Sequence, residues 1–341
     1  MRAVRFHRFG GPEVLRLEEI PPPAPGPGEV LLRVGACAVN HLDLDIRAGV
    51  SRRQVRLPHI LGRDYAGTVV AVGADVVDFA PGDRAVVTLG WTCGRCRMCR
   101  TGRANLCRQG TLPGLDADGG YAEYALAPAV ALARVPPGLD DVHAAAVPAA
   151  FGTAWHMAQL AGIAEGMWVL VHAAGSGVGS AAVQIARLMG ARVVATASTE
   201  AKCARALDLG ANAAVNYSRP DWAARVREIT GGDGPDAVIE HIGGAVLEES
   251  LALVAPGGAV VTCGAHAGER VDLDVISFFR KEARLLGAYR ATVTEYRRVL
   301  ELCAEGALRP VVDSVLPLSD ARRSHERVAA RDVFGKIVLV P

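Results

Sequence analysis

Lysine is almost missing from this chain. Lysine and arginine together number 37 among 341 residues, yet only Lys202, Lys281 and Lys336 are lysines. The excess of arginine reads as genome composition, and it makes each lysine worth locating. Charge imbalance is missing too. With 36 acidic residues the formal net charge is +1, which gives no reason to expect nucleic acid or an acidic membrane surface as partner. No uninterrupted apolar run approaches the ~20 residues that span a bilayer. The Ala-rich stretch 143–164 comes nearest, but it is broken by His143, Pro148 and His156. The first twenty residues scatter arginines without a continuous apolar core, so no secretory signal is expected. Internal repeats and low-complexity tracts are absent as well.

What is present is ordinary for a globular protein: 50% of residues are hydrophobic and 21% charged, over a length that favours two domains. Eight cysteines occur, four of them between 93 and 107. That crowding suits a metal site in a reduced compartment better than a disulfide framework, and a cytoplasmic protein is expected. The first half reads as β: "EVLLRVGACAV" (29–39) and "AGTVVAVGADV" (66–76) are Val- and Leu-rich runs punctuated by glycine, while "PPPAPGPG" (21–28) reads as a linking turn. After about residue 150 the texture changes. "WVLVHAAG" (168–175) is an apolar run typical of a strand buried on both faces. A helical pattern follows over 179–190, then a second apolar strand over 191–198, with further alternation at 235–244 and 257–265. Repeated β–α–β predicts a parallel, doubly wound sheet.

Between the first of these strands and its helix lies "AAGSGVG" (173–179). A glycine-rich turn here lets backbone amides approach a pyrophosphate at the positive end of a helix. The motif is imperfect, because Ala174 and Ser176 stand at the first two glycine positions when it ends on Gly179. Small residues still permit the approach, through Ala174, Ser176, Gly177, Val178 and Gly179. NAD-binding folds place an acid at the end of the next strand to hold the ribose 2′-hydroxyl. Here Ala197, Ser198 and Thr199 come instead, followed by Lys202. Hydroxyls plus a cation suit a 2′-phosphate, so NADP(H) is expected, with NAD(H) the alternative.

The four cysteines read "CGRCRMCRTGRANLC". Four thiolates complete a tetrahedral shell and leave no open position for substrate, as structural zinc requires.

Together these features resemble the medium-chain dehydrogenase/reductase superfamily, near its quinone-oxidoreductase-like and zinc-type alcohol dehydrogenase branches. The likeness runs from "MRAV…GGPEVL" through "ACAVNHLDLDIRAG", "LPHILGRDYAGTVVAVG", the four-cysteine lobe and "AAGSGVG" to the closing "FGKIVLV". It implies an α/β chain with a GroES-like catalytic domain over 1–148 and 289–341 and a Rossmann domain over 149–288. It also implies a structural-zinc lobe at 91–109, one zinc per subunit held by Cys93, Cys96, Cys99 and Cys107. Homodimers, or tetramers, would join through the Rossmann sheets.

Zinc-type members carry a second, catalytic zinc on a Cys, a His and a further Cys or acid. The resemblance places Asn40, Arg63 and Ala149 at those positions, and none of them is a zinc ligand. Chemistry without that metal favours acceptors that spread charge over a conjugated system, where hydrogen bonds suffice. The resemblance makes Asn40 the first active-site residue, with Asp43 and Arg47 in the same segment as a local ion pair or loop support. His41 is a candidate proton relay and Tyr65 the nearest candidate phenol donor. Thr153, His241, Ile242, Cys263 and Gly264 would line the nicotinamide, Thr153 doubling as a helix N-cap. Tyr217 would touch the adenosine phosphate. The leading expectation is an NADPH-dependent reductase of quinones or α,β-unsaturated carbonyls acting on a small-molecule substrate. An NAD(P)-dependent alcohol dehydrogenase and a non-enzymatic NADPH-binding protein are the rivals.

Overall fold

Valine, alanine and leucine runs do most to set the architecture. Trp168–Val171, Arg192–Ala197, Ala237–Glu240 and Ala259–Thr262 are buried almost throughout, because helices cover both faces of the sheet they form. The computed structural model describes residues 1–53, 55–88 and 90–341 and divides into two units. One comprises Met1–Ala149, Ala291–Gly306 and Pro310–Pro341, the other Ala150–Arg290 and Ala307–Arg309. The expected boundaries at 148/149 and 288/289 lie within two residues of these, but Ala307–Arg309 belong to the second unit. Gln184 holds that short segment there through hydrogen bonds with both N and O of Arg309.

The second unit is built on a six-stranded sheet in the order Ala213–Asn216, Arg192–Ala197, Trp168–Val171, Ala237–Glu240, Ala259–Thr262, Arg284–Gly287. Every pair is parallel, and the first strand in sequence lies third, the doubly wound order of dinucleotide-binding sheets. The helix Gly177–Leu188 buries Ala181, Ala182, Val183, Ile185 and Ala186; its small residues let it lie close to the strands. It begins two residues before the expected 179, because the glycines of the turn form its first turn.

The first unit carries a mixed sheet around the long strand Glu29–Ala38. Asp64–Val72 runs antiparallel along one side of it, with Ala38 opposite Asp64 and Cys37 opposite Tyr65. The C-terminal strand Lys336–Val340 pairs with its far end, setting Val338 against Ala38 and Leu339 against Cys37. Three strand ends thus converge, and they bring Asn40, Asp64 and Lys336 into one place. The Ala-rich stretch 143–164 is two helices, Asp141–Ala146 and Thr153–Ala161, joined by a π-helical turn over Pro148–Gly152. Among the described residues no helix is long and apolar enough to cross a membrane.

Candidate functional site

In the first unit, strand register builds a buried polar cluster. Asn40 follows the long strand by two residues and caps the helix His41–Ala48, its backbone N–H donating to Asp43 Oδ2 at 2.8 Å. Its amide is held at both ends. Oδ1 accepts from Lys336 Nζ at 2.7 Å, and Nδ2 donates to Asp64 Oδ2 at 3.0 Å and Ala38 O at 3.3 Å. Lys336 Nζ also donates to Val39 O at 2.7 Å and lies 3.8 Å from Asp64 Oδ2. These bonds fix which end of the amide is oxygen and which is nitrogen.

Asp43 is buried and accepts from Tyr121 OH at 3.2 Å. Burial pushes its carboxyl up to about 6, against the pull of the Asn40 backbone amide and the Lys336 charge. Arg47 does not pair with Asp43. It contacts His325 Nδ1 at 3.0 Å and donates to Gly10 O at 3.2 Å, while His325 Nε2 meets Tyr121 OH at 3.1 Å. Of the two local roles expected for Asp43 and Arg47, the ion pair is corrected and the support role is what the contacts show: Asp43 holds the helix start, and Arg47 ties the helix to the N-terminal segment. Burial holds His325 down near 3, so the imidazole beside Arg47 is neutral. Tyr65 is corrected too. It is fully buried and spends its hydroxyl on Leu126 O at 2.6 Å, which removes it as a proton donor to substrate. His41 is exposed at the helix start. Cys37 lies buried against Gly62, and burial together with the Asp43 and Asp64 charges keeps its thiol protonated.

In the second unit the turn after Trp168–Val171 places Ser176 at the N-cap of Gly177–Leu188, where its Oγ accepts from Gly179 N at 2.9 Å. A Cβ on Gly179 would lie 2.2 Å from Ala173 O, so only glycine allows the helix to pack this close to the strand. The amides of Gly177 and Val178 have no carbonyl partner within the helix and remain for an anion. His241 Nε2 lies 3.0 Å from Ser176 Oγ, joining the end of Ala237–Glu240 to this turn. Burial keeps His241 near 4 and hence neutral.

Behind it, buried Glu240 accepts from Gly243 N at 2.7 Å, from Thr262 Oγ1 at 2.6 Å and from Ile242 N. That carboxylate orders the loops carrying Ile242, Cys263 and Gly264. Burial pushes Cys263 up to about 12, so it offers a neutral thiol. Thr153 is not an N-cap: Gly152 holds that position, and Thr153 continues the preceding π-helical turn.

At the end of Arg192–Ala197, Thr199 caps the helix Glu200–Asp208 by accepting from Lys202 N. Tyr217 N donates to Ala197 O at 3.0 Å, and Ser218 Oγ to Ser198 O at 3.0 Å. Ser198, Lys202 and Tyr217 thus share one strand-end region. Arg219, which the sequence reading missed, donates to Glu200 at 3.0 and 3.2 Å. It neutralises the acid nearest the strand end. The signal was the arginine two residues after Tyr217 in "NYSRP".

The cysteine lobe also assembles. The Sγ atoms of Cys93, Cys96, Cys99 and Cys107 all lie within 4.8 Å of one another, four of the separations being 3.5, 3.6, 3.9 and 4.0 Å. Tetrahedral zinc with Zn–S near 2.3 Å sets sulfurs about 3.8 Å apart. Backbone amides of Arg95 and Cys96 pull the Cys93 thiol down to about 6, whereas burial and the neighbouring sulfurs push Cys99 up to about 12. Four thiolates this close repel unless a cation lies among them. The donor set fits zinc, with no position left open.

Two family profiles cover these units: the alcohol dehydrogenase GroES-like domain over 26–137 and the zinc-binding dehydrogenase domain over 177–305. Human quinone oxidoreductase is 32% identical over 349 aligned residues, spanning 100% of this chain and 98% of that protein. A 2-haloacrylate reductase from Burkholderia sp is 34% identical, over 99% and 98% of the two chains. A crystal structure described as an NAD-dependent alcohol dehydrogenase superposes with a TM-score of 0.94 at 44% identity over all of both chains.

The chain belongs to the medium-chain dehydrogenase/reductase superfamily.

It is an NAD(P)-dependent oxidoreductase of that superfamily. Asn40, Arg63 and Asp64, which the resemblance set at a cysteine, a histidine and a glutamate of zinc-type members, meet around the Asp64 carboxylate. The structure adds Lys336, which no local motif revealed. Its partner Asn40 lies 296 residues away in sequence, and only the pairing of the C-terminal strand joins them. The other lysines have separate work. Lys202 is half-buried near the strand end, and Lys281 Nζ donates to Ala252 O and Val254 O at the C-terminus of Gly244–Leu253.

Proposed function

We propose that this protein is an NADPH-dependent reductase of quinones or α,β-unsaturated carbonyl compounds, working without a catalytic zinc and carrying one structural zinc in its cysteine lobe. The observation that carries the reading is the Lys336–Asn40–Asp64 cluster with Arg63 beside it. Two fixed cations flank the carboxylate there, and a divalent ion would meet repulsion instead of ligands. Bound NADPH supplies hydride. The chain's own residues bind and orient: Gly177 and Val178 offer amides to the pyrophosphate, Ser198 and Lys202 take the 2′-phosphate, and Tyr217 lies beside them. Ile242, Cys263 and Gly264 line the nicotinamide on the loops that Glu240 orders, with Thr153 and His241 completing that wall. Asn40, locked by Lys336 and Asp64, gives the acceptor site a fixed polar surface, and Asp43 holds the turn that carries it.

An alcohol dehydrogenase is the second reading, favoured by the 44% identity to a protein described by that activity. Turnover of a quinone and enone panel against primary and secondary alcohols, with zinc counted before and after chelation, separates the two. The expected result is NADPH oxidation with conjugated acceptors and one tightly held zinc per chain. Alcohol oxidation that needs a second zinc would overturn the reading.

A homodimer is part of the same proposal. Arg284–Gly287 is the edge of the parallel sheet, and Leu285 on it is exposed. The adjoining helix Val275–Arg280 presents Val275, Ile276 and Phe279 at 60, 58 and 60% exposure. An unpaired edge beside apolar side chains suits a second copy of the same surface.

A further inference from the structure

Arg63 has donors left over. Its side chain is only 17% exposed, yet among the described residues it makes one interaction, an ion pair from Nε to Asp64 Oδ1 at 3.7 Å. Neither Nη1 nor Nη2 has a hydrogen-bond partner there. A guanidinium carries five N–H donors, and those of the Arg63 fork are free to take up an anion.

The nearby acids are already engaged. Asp64 Oδ2 takes Asn40 Nδ2 and faces Lys336, and Asp43 takes the Asn40 amide and Tyr121. Asp64 therefore divides one negative charge between two cations. The backbone presenting Arg63 is fixed as well. Gly62 has φ +95, and a Cβ there would lie 2.4 Å from Tyr121 Cδ1 and 2.6 Å from Cys37 Sγ. The result is a guanidinium on a fixed backbone, half-buried, with its outer fork open to solvent and unused.

We propose that Arg63 binds a carboxylate of the substrate, so that the preferred acceptors are α,β-unsaturated carboxylic acids and not neutral quinones. The inference rests on the reductase reading above and names the substrate class of that site. The two terminal nitrogens form a planar fork that matches two carboxylate oxygens. A quinone or ester carbonyl has no charge to offer and forgoes the charge-assisted pair of bonds that a carboxylate makes. The role is binding alone; no bond is made or broken at Arg63.

The test compares crotonate with methyl crotonate, a pair that differs in the charge of one group, on the full-length protein with NADPH. Wild-type kcat/KM should favour the acid by roughly 10- to 100-fold, the span of a charge-assisted hydrogen bond. In Arg63→Gln the acid-over-ester ratio should collapse towards one, mainly through KM for the acid, and Arg63→Lys should recover part of it. A wild-type preference for the ester, or an unchanged ratio in Arg63→Gln, overturns the proposal. Binding is read separately by calorimetric titration with butyrate, which has no double bond to reduce. If crotonate, its ester and benzoquinone all fail to turn over, the reductase reading falls. Butyrate binding that Arg63→Gln abolishes still upholds the anion site, and no butyrate binding to wild type overturns it.

Discussion

The proposed preference for NADPH rests largely on one side chain, Lys202. It lies half-buried in the first turn of Glu200–Asp208, beside Ser198 and Tyr217. The acid of that turn, Glu200, is already tied to Arg219 and Asn216. A 2′-phosphate therefore meets a cation and hydroxyls, and the one local carboxylate is neutralised. Changing Lys202 to Ala should weaken NADPH binding by ~1.5–3 kcal/mol and leave NADH nearly unaffected, as read by fluorescence titration of both cofactors. Equal losses would show that the lysine does not distinguish them. The proposal was readable from "ATASTEAK", because the residues concerned are neighbours in the chain. Asn40 was readable only in part. The motif marked it, but its orientation depends on Lys336 and Asp64, which lie 296 and 24 residues away.

At the scale of elements, the cysteine lobe is short of everything except ligands. Its only helix is the four-residue Arg97–Arg100, with none of those residues buried, followed by a single 3-10 turn, Ala104–Leu106. A segment this poor in apolar contact would gain its order from the zinc proposed for its four thiols. Cys96→Ser should lower the thermal midpoint or the yield of folded protein, and the fraction that stays folded should turn over substrate near the parent rate. A variant of full stability with turnover reduced by orders of magnitude would place this metal in the chemistry. The spacing alone revealed the lobe, since all four ligands fall within fifteen residues. The helix start at Gly177 was less legible, because glycines read as a loop until the close packing of Gly179 on Ala173 shows why they are helical.

For the whole molecule, the proposed dimer rests on one exposed edge. Val275, Ile276, Phe279 and Leu285 make an apolar face beside the last strand of the parallel sheet. Replacing Phe279 with Asp should convert dimers to monomers in sedimentation velocity while leaving the far-ultraviolet circular dichroism unchanged. Parent protein that sediments as a monomer at micromolar concentration would refute the interface.

The sequence alone determined the parallel sheet, the nucleotide turn and the cysteine lobe. In each, the informative residues are neighbours, and period, glycine spacing or ligand spacing carries the physics directly. It also raised the expectation that the usual metal ligands are replaced, because Asn40 and Arg63 occupy recognisable motifs. Only the tertiary structure decided what surrounds those two residues. Lys336 reaches Asn40 because the last strand pairs beside the long central one, Asp43 turns to Tyr121 instead of Arg47, and Arg63 is left with an unused fork. Those outcomes depend on register between strands far apart in the chain and on charges competing in a buried space, and no short stretch of sequence contains either.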